Sequence, residues 1–352
     1  MFDISNIDSN FKIETTVDKT DIKYYKVDEA PFKIYGVFKE GNKYRRMPEN
    51  VARNVSDGVY RLHTNTAGGR VKFVTDSPYI TICAKMDELR KMSHVALTGS
   101  IGFDLYVNDC YVKTFVPPFE IEDGYESIFE FEEKEQREIT INFPLYSNVN
   151  ELYIGLQESS VLTEAKPYKN TKPIVFYGSS ITQGACASRP GTCHTAILSR
   201  WLESDFINLG FSGKDKGEEA LAKYISTLDM SAFVYAYGYN APTAEHFRKT
   251  YYPFYEIIRK ERPELPIIMM GSPICPSIKS KTKMILFEEK RKITKEAFEK
   301  ARQNGDNNIY YIDGFTLLEN PDSTVDGTHP SDLGFYDIAN AVYPVLKEIL
   351  SY

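Results

Sequence analysis

The chain has 352 residues, 42% of them hydrophobic and 26% charged, with a formal net charge of -7 at neutral pH. That balance belongs to an ordinary globular protein with length enough for two domains, and it excludes a disordered or fibrous chain. The acidic surplus, with no basic stripe, argues against a nucleic-acid partner, and no stretch of about 18 apolar residues offers a membrane span.

The opening Met1-Phe2-Asp3-Ile4-Ser5-Asn6 lacks a basic start leading into an apolar run, so the expectation is a cytoplasmic protein without a secretory leader. Five cysteines (Cys83, Cys110, Cys186, Cys193, Cys275) are odd in number and have no CxxC spacing, so neither a disulfide framework nor a zinc site is expected. Residues 1–59 carry Phe38, Tyr44 and Met47, and the pattern leaves open whether they pack on the strands that follow or reach over a site. From 60 to 156, short alternating segments separated by turn residues predict half-buried antiparallel strands at 71–74, 79–83, 103–107, 111–115 and 138–143. Asn108-Asp109-Cys110 is a hairpin turn between the third and fourth, and the whole region reads as a β-sandwich. Residues 157–173, with Glu158-Ser159-Ser160, Pro167 and Pro173, read as a linker, giving domains at 1–165 and 172–352.

Beyond the linker, apolar strand runs alternate with helical ones, as in a parallel sheet covered by helices. Strands are predicted at 174–177, 206–209, 233–236, 267–270 and 309–312. Ala196, Ile197, Trp201 and Leu202 make one helix face, and Phe247, Tyr251, Phe254 and Ile258 another. The last helix carries Phe335, Ile338, Val342, Val345 and Ile349, and Pro344 should kink or divide it. The run Glu288-Glu289-Lys290-Arg291-Lys292 reads as a solvated helix face.

Four segments carry candidate chemistry. The strand 174–177 runs into Gly178-Ser179-Ser180, which presents a hydroxyl where the backbone must turn; a plain serine-rich turn explains that segment equally well. Asn208-Leu209-Gly210-Phe211-Ser212-Gly213 follows the next strand, and a glycine there lets a backbone N–H approach an oxyanion. Gly238-Tyr239-Asn240-Ala241-Pro242 offers an amide donor, or only a turn asparagine. Asp326-Gly327-Thr328-His329-Pro330 offers an imidazole and a carboxylate from one loop, whereas a helix cap at Ser331 or Asp332 leaves both idle. Serine needs such a base to become a nucleophile at neutral pH.

In this order the four segments resemble the blocks of the SGNH, or GDSL-type, hydrolases over residues 172–352. The resemblance implies a flavodoxin-like three-layer α/β/α domain. It also implies Ser180 as nucleophile, His329 as general base, Asp326 as its orienter, and Gly213 and Asn240 as oxyanion donors beside the Ser180 N–H. Gly213 is preferred to Gly210 on the family's Ser-Gly spacing. The chain departs from the family pattern at Ser179 and Ala241, both positions where aspartate is usual. Gly102-Phe103-Asp104-Leu105-Tyr106 resembles the GxDLY motif of a domain found ahead of SGNH esterases, which implies a jelly-roll-like sandwich; Asp104 is expected to be a structural hydrogen-bond partner.

Of the other histidines, His246 lies near Asn240 and is a minor candidate for touching substrate; His194 sits near Cys186 and Cys193, which raises a thiol nucleophile as an alternative; His63 and His94 have no identifiable partners. The expectation is an esterase that needs no cofactor or metal and removes small acyl groups such as acetyl from a carbohydrate or related polyol. An acyltransferase and a non-catalytic carbohydrate-binding protein are the competing readings, and the oligomeric state is not indicated.

Overall fold

The computed structural model describes residues 16–275 and 277–350; the opening segment read above for a leader lies outside them. The first half is built from β1 (Ile22–Lys26), β2 (Lys33–Tyr35), β3 (Phe38–Glu40), β4 (Lys43–Arg45), two short helices α1 (Glu49–Val55) and α2 (Asp57–Leu62), β5 (Arg70–Thr75), β6 (Tyr79–Lys85), α3 (Leu97–Ser100), β7 (Phe103–Val107), β8 (Cys110–Phe115), β9 (Gly124–Glu130), β10 (Arg137–Asn142), β11 (Glu151–Gln157) and β12 (Leu162–Thr163). Two antiparallel sheets face each other. One has the order β1-β11-β6-β9; the other runs β12-β5-β10-β7-β8, with β2 also on β5. Their inward side chains, among them Phe73, Ile82, Phe103, Leu105, Ile141 and Ile154, form one apolar core, as alternation requires. The β7–β8 turn is a two-residue hairpin with positive φ at both Asn108 and Asp109, residue types that tolerate it.

The second half contains a five-stranded parallel sheet: β13 (Asn170–Gly178), β14 (Ser204–Gly210), β15 (Ala232–Ala236), β16 (Ile267–Met270) and β17 (Ile309–Ile312), in the order β14-β13-β15-β16-β17. Helices α4 (Ser180–Gln183), α5 (His194–Trp201), α6 (Glu219–Thr227), α7 (Ala244–Glu261), α8 (Lys281–Gln303) and α9 (Asp332–Ile349) connect and flank it. One face buries Val175, Tyr177, Phe233 and Tyr235 against α6, α7 and α8; the other buries Ile174, Phe176, Val234 and Ile268 against α5 and α9. Because the chain leaves β13 for β14 on one side and then crosses to β15 on the other, the carboxyl end of β13 is the switch point where such sheets bind ligands.

Two expectations are adjusted, and a point the sequence left open is answered. The segment 157–173 is not a plain linker, since β12 pairs with β5 and β13 already begins at Asn170, with an irregular register up to Ile174 where Pro173 cannot donate to a neighbour. Pro344 does not divide the last helix: α9 is continuous, held on the sheet by Val342 and Leu346 on either side of the exposed proline. The segment 38–62 splits between the two cores, with Tyr44 in the sandwich and Met47, Ala52, Val59 and Leu62 against the parallel sheet, while Phe38 stays exposed.

Candidate active site

The apolar strand β13 ends at Gly178, and Ser179 turns the chain into α4 by accepting the Ile181 N–H on its hydroxyl at 3.2 Å. Serine and aspartate are both strong N-cap residues, so the departure from the GDSL pattern at Ser179 leaves the cap intact. Ser180 is then the first helical residue, almost buried at 5% exposure, just past the carboxyl end of β13. Its Oγ lies 3.0 Å from Nε2 of His329, whose Nδ1 lies 2.8 Å from Oδ2 of Asp326.

The histidine's loop is built locally. Oδ1 of Asp326 accepts the backbone N–H groups of Thr328 at 3.0 Å and His329 at 2.8 Å, and the Val325 N–H closes the loop on the His329 carbonyl at 2.9 Å. Burial pushes the Asp326 carboxyl up, but the hydrogen bonds from His329 and Thr328 and the nearby imidazole outweigh it and hold the group below its ordinary value. An ionised Asp326 accepts from Nδ1–H, which leaves Nε2 as the nitrogen facing Ser180 with a lone pair. Ser331 caps α9, and the cap coexists with the hydrogen-bonded His329–Asp326 pair in the same segment.

Two loops flank Ser180, one after each neighbouring strand. After β14, Gly210 packs directly under α4: a Cβ there would lie 2.2 Å from the Gln183 nitrogen, and its N–H is taken by Oδ1 of Asn208 at 2.9 Å. Gly213 instead is exposed, with φ +69 and open space around it. After β15, Asn240 donates its side-chain N–H to Oδ1 of Asp215. Asp215 is fully buried, its Oδ2 has no hydrogen-bond partner, and burial drives its carboxyl well above the ordinary carboxylate range.

Lys290 completes this arrangement and corrects the sequence reading. Its neighbours Glu288, Glu289, Arg291 and Lys292 are exposed, but Lys290 itself is 3% exposed and donates to the carbonyls of Ala241 at 2.8 Å and Tyr239 at 3.4 Å. Burial pulls its amine down to about 8 against the opposing pull of Asp215. The signal was present: Phe287, Lys290, Thr294, Ala297 and Ala301 follow one buried helical stripe. Asp215 had no such signal.

The remaining histidines separate cleanly. His194 is buried, stacked on Phe335 with centroids 5.8 Å apart, and pulled down to about 3 by burial, while burial pushes the Cys186 and Cys193 thiols up to about 11. A neutral thiol is a poor nucleophile, and it is the Ser180 hydroxyl rather than either sulfur that sits against Nε2 of His329, which weighs against the cysteine alternative. His246 is engaged by the Lys216 carbonyl at 2.8 Å, and His63 by Arg45 at 2.7 Å. His94 departs from expectation: its loop leaves the sandwich and brings its ring within 5.7 Å, centroid to centroid, of His329. Asp104 of the GxDLY segment is buried away from the triad, accepting from Asn142 and the Gly191 N–H at 2.7 Å each and from Arg189 at 3.2 Å.

A parallel sheet with a serine at the end of its first strand, at the switch point, and an Asp-x-x-His loop against it defines a serine hydrolase of the SGNH class. The sequence profile of the GDSL-like lipase/acylhydrolase family matches residues 171–347, and that of the GxDLY N-terminal region of SGNH-type esterases matches residues 22–162. The chain belongs to the GDSL-like lipase/acylhydrolase family, and is an ester hydrolase of the SGNH type with a GxDLY β-sandwich ahead of it. Among solved structures, a protein of Bacteroides ovatus described as a GDSL-like lipase is similar at 28% identity and a TM-score of 0.86, over 94% of this chain and 98% of that one. The salicylyl-acyltransferase SsfX3 of a tetracycline biosynthetic pathway shares the fold at 19% identity and a TM-score of 0.75, covering 94% and 98%. A family two carbohydrate esterase of Cellvibrio japonicus does so at 13% identity and 0.62, again covering 94% and 98%. No curated protein matches the chain. Among the described residues no helix is long and apolar enough to cross a membrane.

Proposed function

We propose that the protein removes small acyl groups such as acetyl from a carbohydrate or related polyol through an acyl-enzyme on Ser180. The observation that carries this reading is the unbroken relay from Ser180 Oγ to His329 at 3.0 Å and on to Asp326 at 2.8 Å. Ser180 attacks the acyl carbonyl as His329 takes its proton; the same imidazole then protonates the leaving alkoxide, and water repeats the sequence to free the acid. The tetrahedral oxygen is held by the N–H groups of Ser180 and Gly213 and by the second amide proton of Asn240, the first being engaged by Asp215. Gly213 suits this role better than Gly210, whose N–H is already occupied.

The carbohydrate assignment draws on the fold shared with the Cellvibrio japonicus carbohydrate esterase. Hydrolysis is favoured over transfer because the His329 and Asp326 side chains are 19% and 34% exposed, so water reaches the base. The assembled relay disfavours a non-catalytic binding protein. The test is hydrolysis of p-nitrophenyl acetate and an acetylated-sugar panel by wild type and Ser180→Ala, with products analysed in the presence of added alcohol. Loss of most of the wild-type rate in the variant supports the reading; equal inertness and no fluorophosphonate labelling of Ser180 overturn it.

A further inference from the structure

Beside the triad, one imidazole and one thiol are not used by the proposed reaction. His94, from the sandwich, and Cys186, just past α4, stand with His329 so that one donor atom from each lies within 4.8 Å of the other two. The three come from segments far apart in sequence, which is why cysteine spacing gave no zinc signal. Cys186 also holds a left-handed backbone, φ +70, that side chains other than glycine rarely adopt. A glycine would make this turn at lower cost, so the turn alone does not account for a cysteine here. Its thiol donates to the His94 carbonyl at 3.1 Å, which already ties the sandwich loop to the site.

We propose that His94, Cys186 and His329 form a zinc site, and that zinc there switches the hydrolase off. Two imidazoles and a thiolate are the soft donor set that selects zinc over magnesium or calcium, with water as a fourth ligand. Bonds of ~2.0 Å to nitrogen and ~2.3 Å to sulfur put the donors of a zinc tetrahedron ~3.5 Å apart, so the exposed His94 side chain closes inward by roughly an ångström. On binding, the Cys186 thiol releases its proton to solvent and each imidazole donates a lone pair; nothing is oxidised. Both ring nitrogens of His329 are engaged, one by Ser180 and one by Asp326, so whichever nitrogen zinc takes, a triad hydrogen bond is lost. Inhibition rests on the esterase reading above; binding does not.

The experiment is calorimetric titration of Zn²⁺ into full-length wild type, Ser180→Ala, His94→Ala and Cys186→Ala, with p-nitrophenyl acetate hydrolysis across buffered free zinc. Each variant's rate is referred to its own chelator-treated value. The expected result is one zinc per chain in wild type and Ser180→Ala, and affinity and inhibition weakened at least ~10-fold in the His94 and Cys186 variants, the minimum that loss of even a supporting partner costs a zinc site. Should Cys186→Ala fail to fold, Co²⁺ bound to wild type reads the thiolate directly through a sulfur-to-cobalt charge-transfer band. No binding by wild type, no such band, or inhibition unchanged in both ligand variants overturns the site. A wild type that binds zinc but hydrolyses no ester overturns the esterase reading and leaves the site standing.

Discussion

An asparagine amide has a donor end and an acceptor end of nearly equal size, and only its surroundings decide which one faces a substrate. For Asn240 the deciding groups are Asp215, which takes one of its N–H bonds, and Lys290, which holds the carbonyls on either side of it. Oδ1 of Asp215 accepts from Asn240 while Oδ2, without a partner, can hold the proton; Asp215→Asn keeps the shape but can turn its own NH₂ toward Asn240, so with Asn240 in the proposed oxyanion role kcat should fall, by up to the ~10²-fold that losing one such donor costs. Stability should move the other way. The folded-state pKa of Asp215 is raised, so above the ordinary carboxylate value the folded protein holds a proton the unfolded chain has lost, and stability declines as pH rises. The variant removes that decline, and its melting temperature should exceed that of wild type by more at pH 8 than at pH 5. Asp326 has the opposite sign: its pKa is lowered, so its stabilising contribution is present above the unfolded value and is lost only as pH falls through the lower folded one. Asp326→Asn should lower kcat by ~10⁴-fold by imposing the wrong tautomer on His329. The hydrogen-bonded relay of Ser180, His329 and Asp326 was legible because Ser180 ends an apolar strand and Asp326 and His329 share a five-residue motif. The burial of Lys290 was readable from its helical stripe but its partners were not, and Asp215 left no sign at all, because their partners lie about 50 and 25 residues away and only the fold brings them together.

At the scale of elements, the five parallel strands were readable because burial on both faces demands runs such as Phe233-Val234-Tyr235-Ala236 with no polar alternation. What periodicity understated was the persistence of helices through proline. Pro344 lies inside the continuous α9, as Pro253 lies inside α7, and both are exposed. Each removes one backbone hydrogen bond, yet the buried stripe on either side supplies enough contact to carry the helix through. Pro344→Ala should restore that bond without disturbing the core. The expected gain is ~1 to 3 kcal/mol, reduced by the extra freedom alanine gives the unfolded chain, and urea unfolding measures it. No gain would mean that the helix is bent there and that the missing bond was never available.

Across the whole molecule, the packing and the domain reading of the sequence cut the chain in different places. Met47, Ala52, Val59 and Leu62, all upstream of the expected hydrolase region, lie in one apolar cluster with Val175, Leu209 and Phe211. The buried Arg46 donates to the carbonyls of Asn208 and Gly210 at 3.1 and 2.6 Å, on the very segment that supports α4, and Arg70 pairs with Asp205 at 2.5 Å. A second path runs from Asp104 through the Gly191 N–H to the loop whose Ser188 N–H and Thr192 hydroxyl bond Asp332 at 2.9 and 2.7 Å, three residues past His329. The sequence marked Asp104 as a structural hydrogen-bond partner, as it is, but not what it holds, because the Arg189 and Gly191 donors lie some 85 residues further on. The sandwich is thereby part of what holds the triad together. Residues 172–352 expressed alone should fail to give a cooperative unfolding transition, since removing α1 and α2 exposes Leu209 and Phe211 and leaves the carbonyls of Asn208 and Gly210 without Arg46. A soluble, cooperatively folding 172–352 fragment with full esterase activity would show instead that the contacts across the two halves are dispensable to the site.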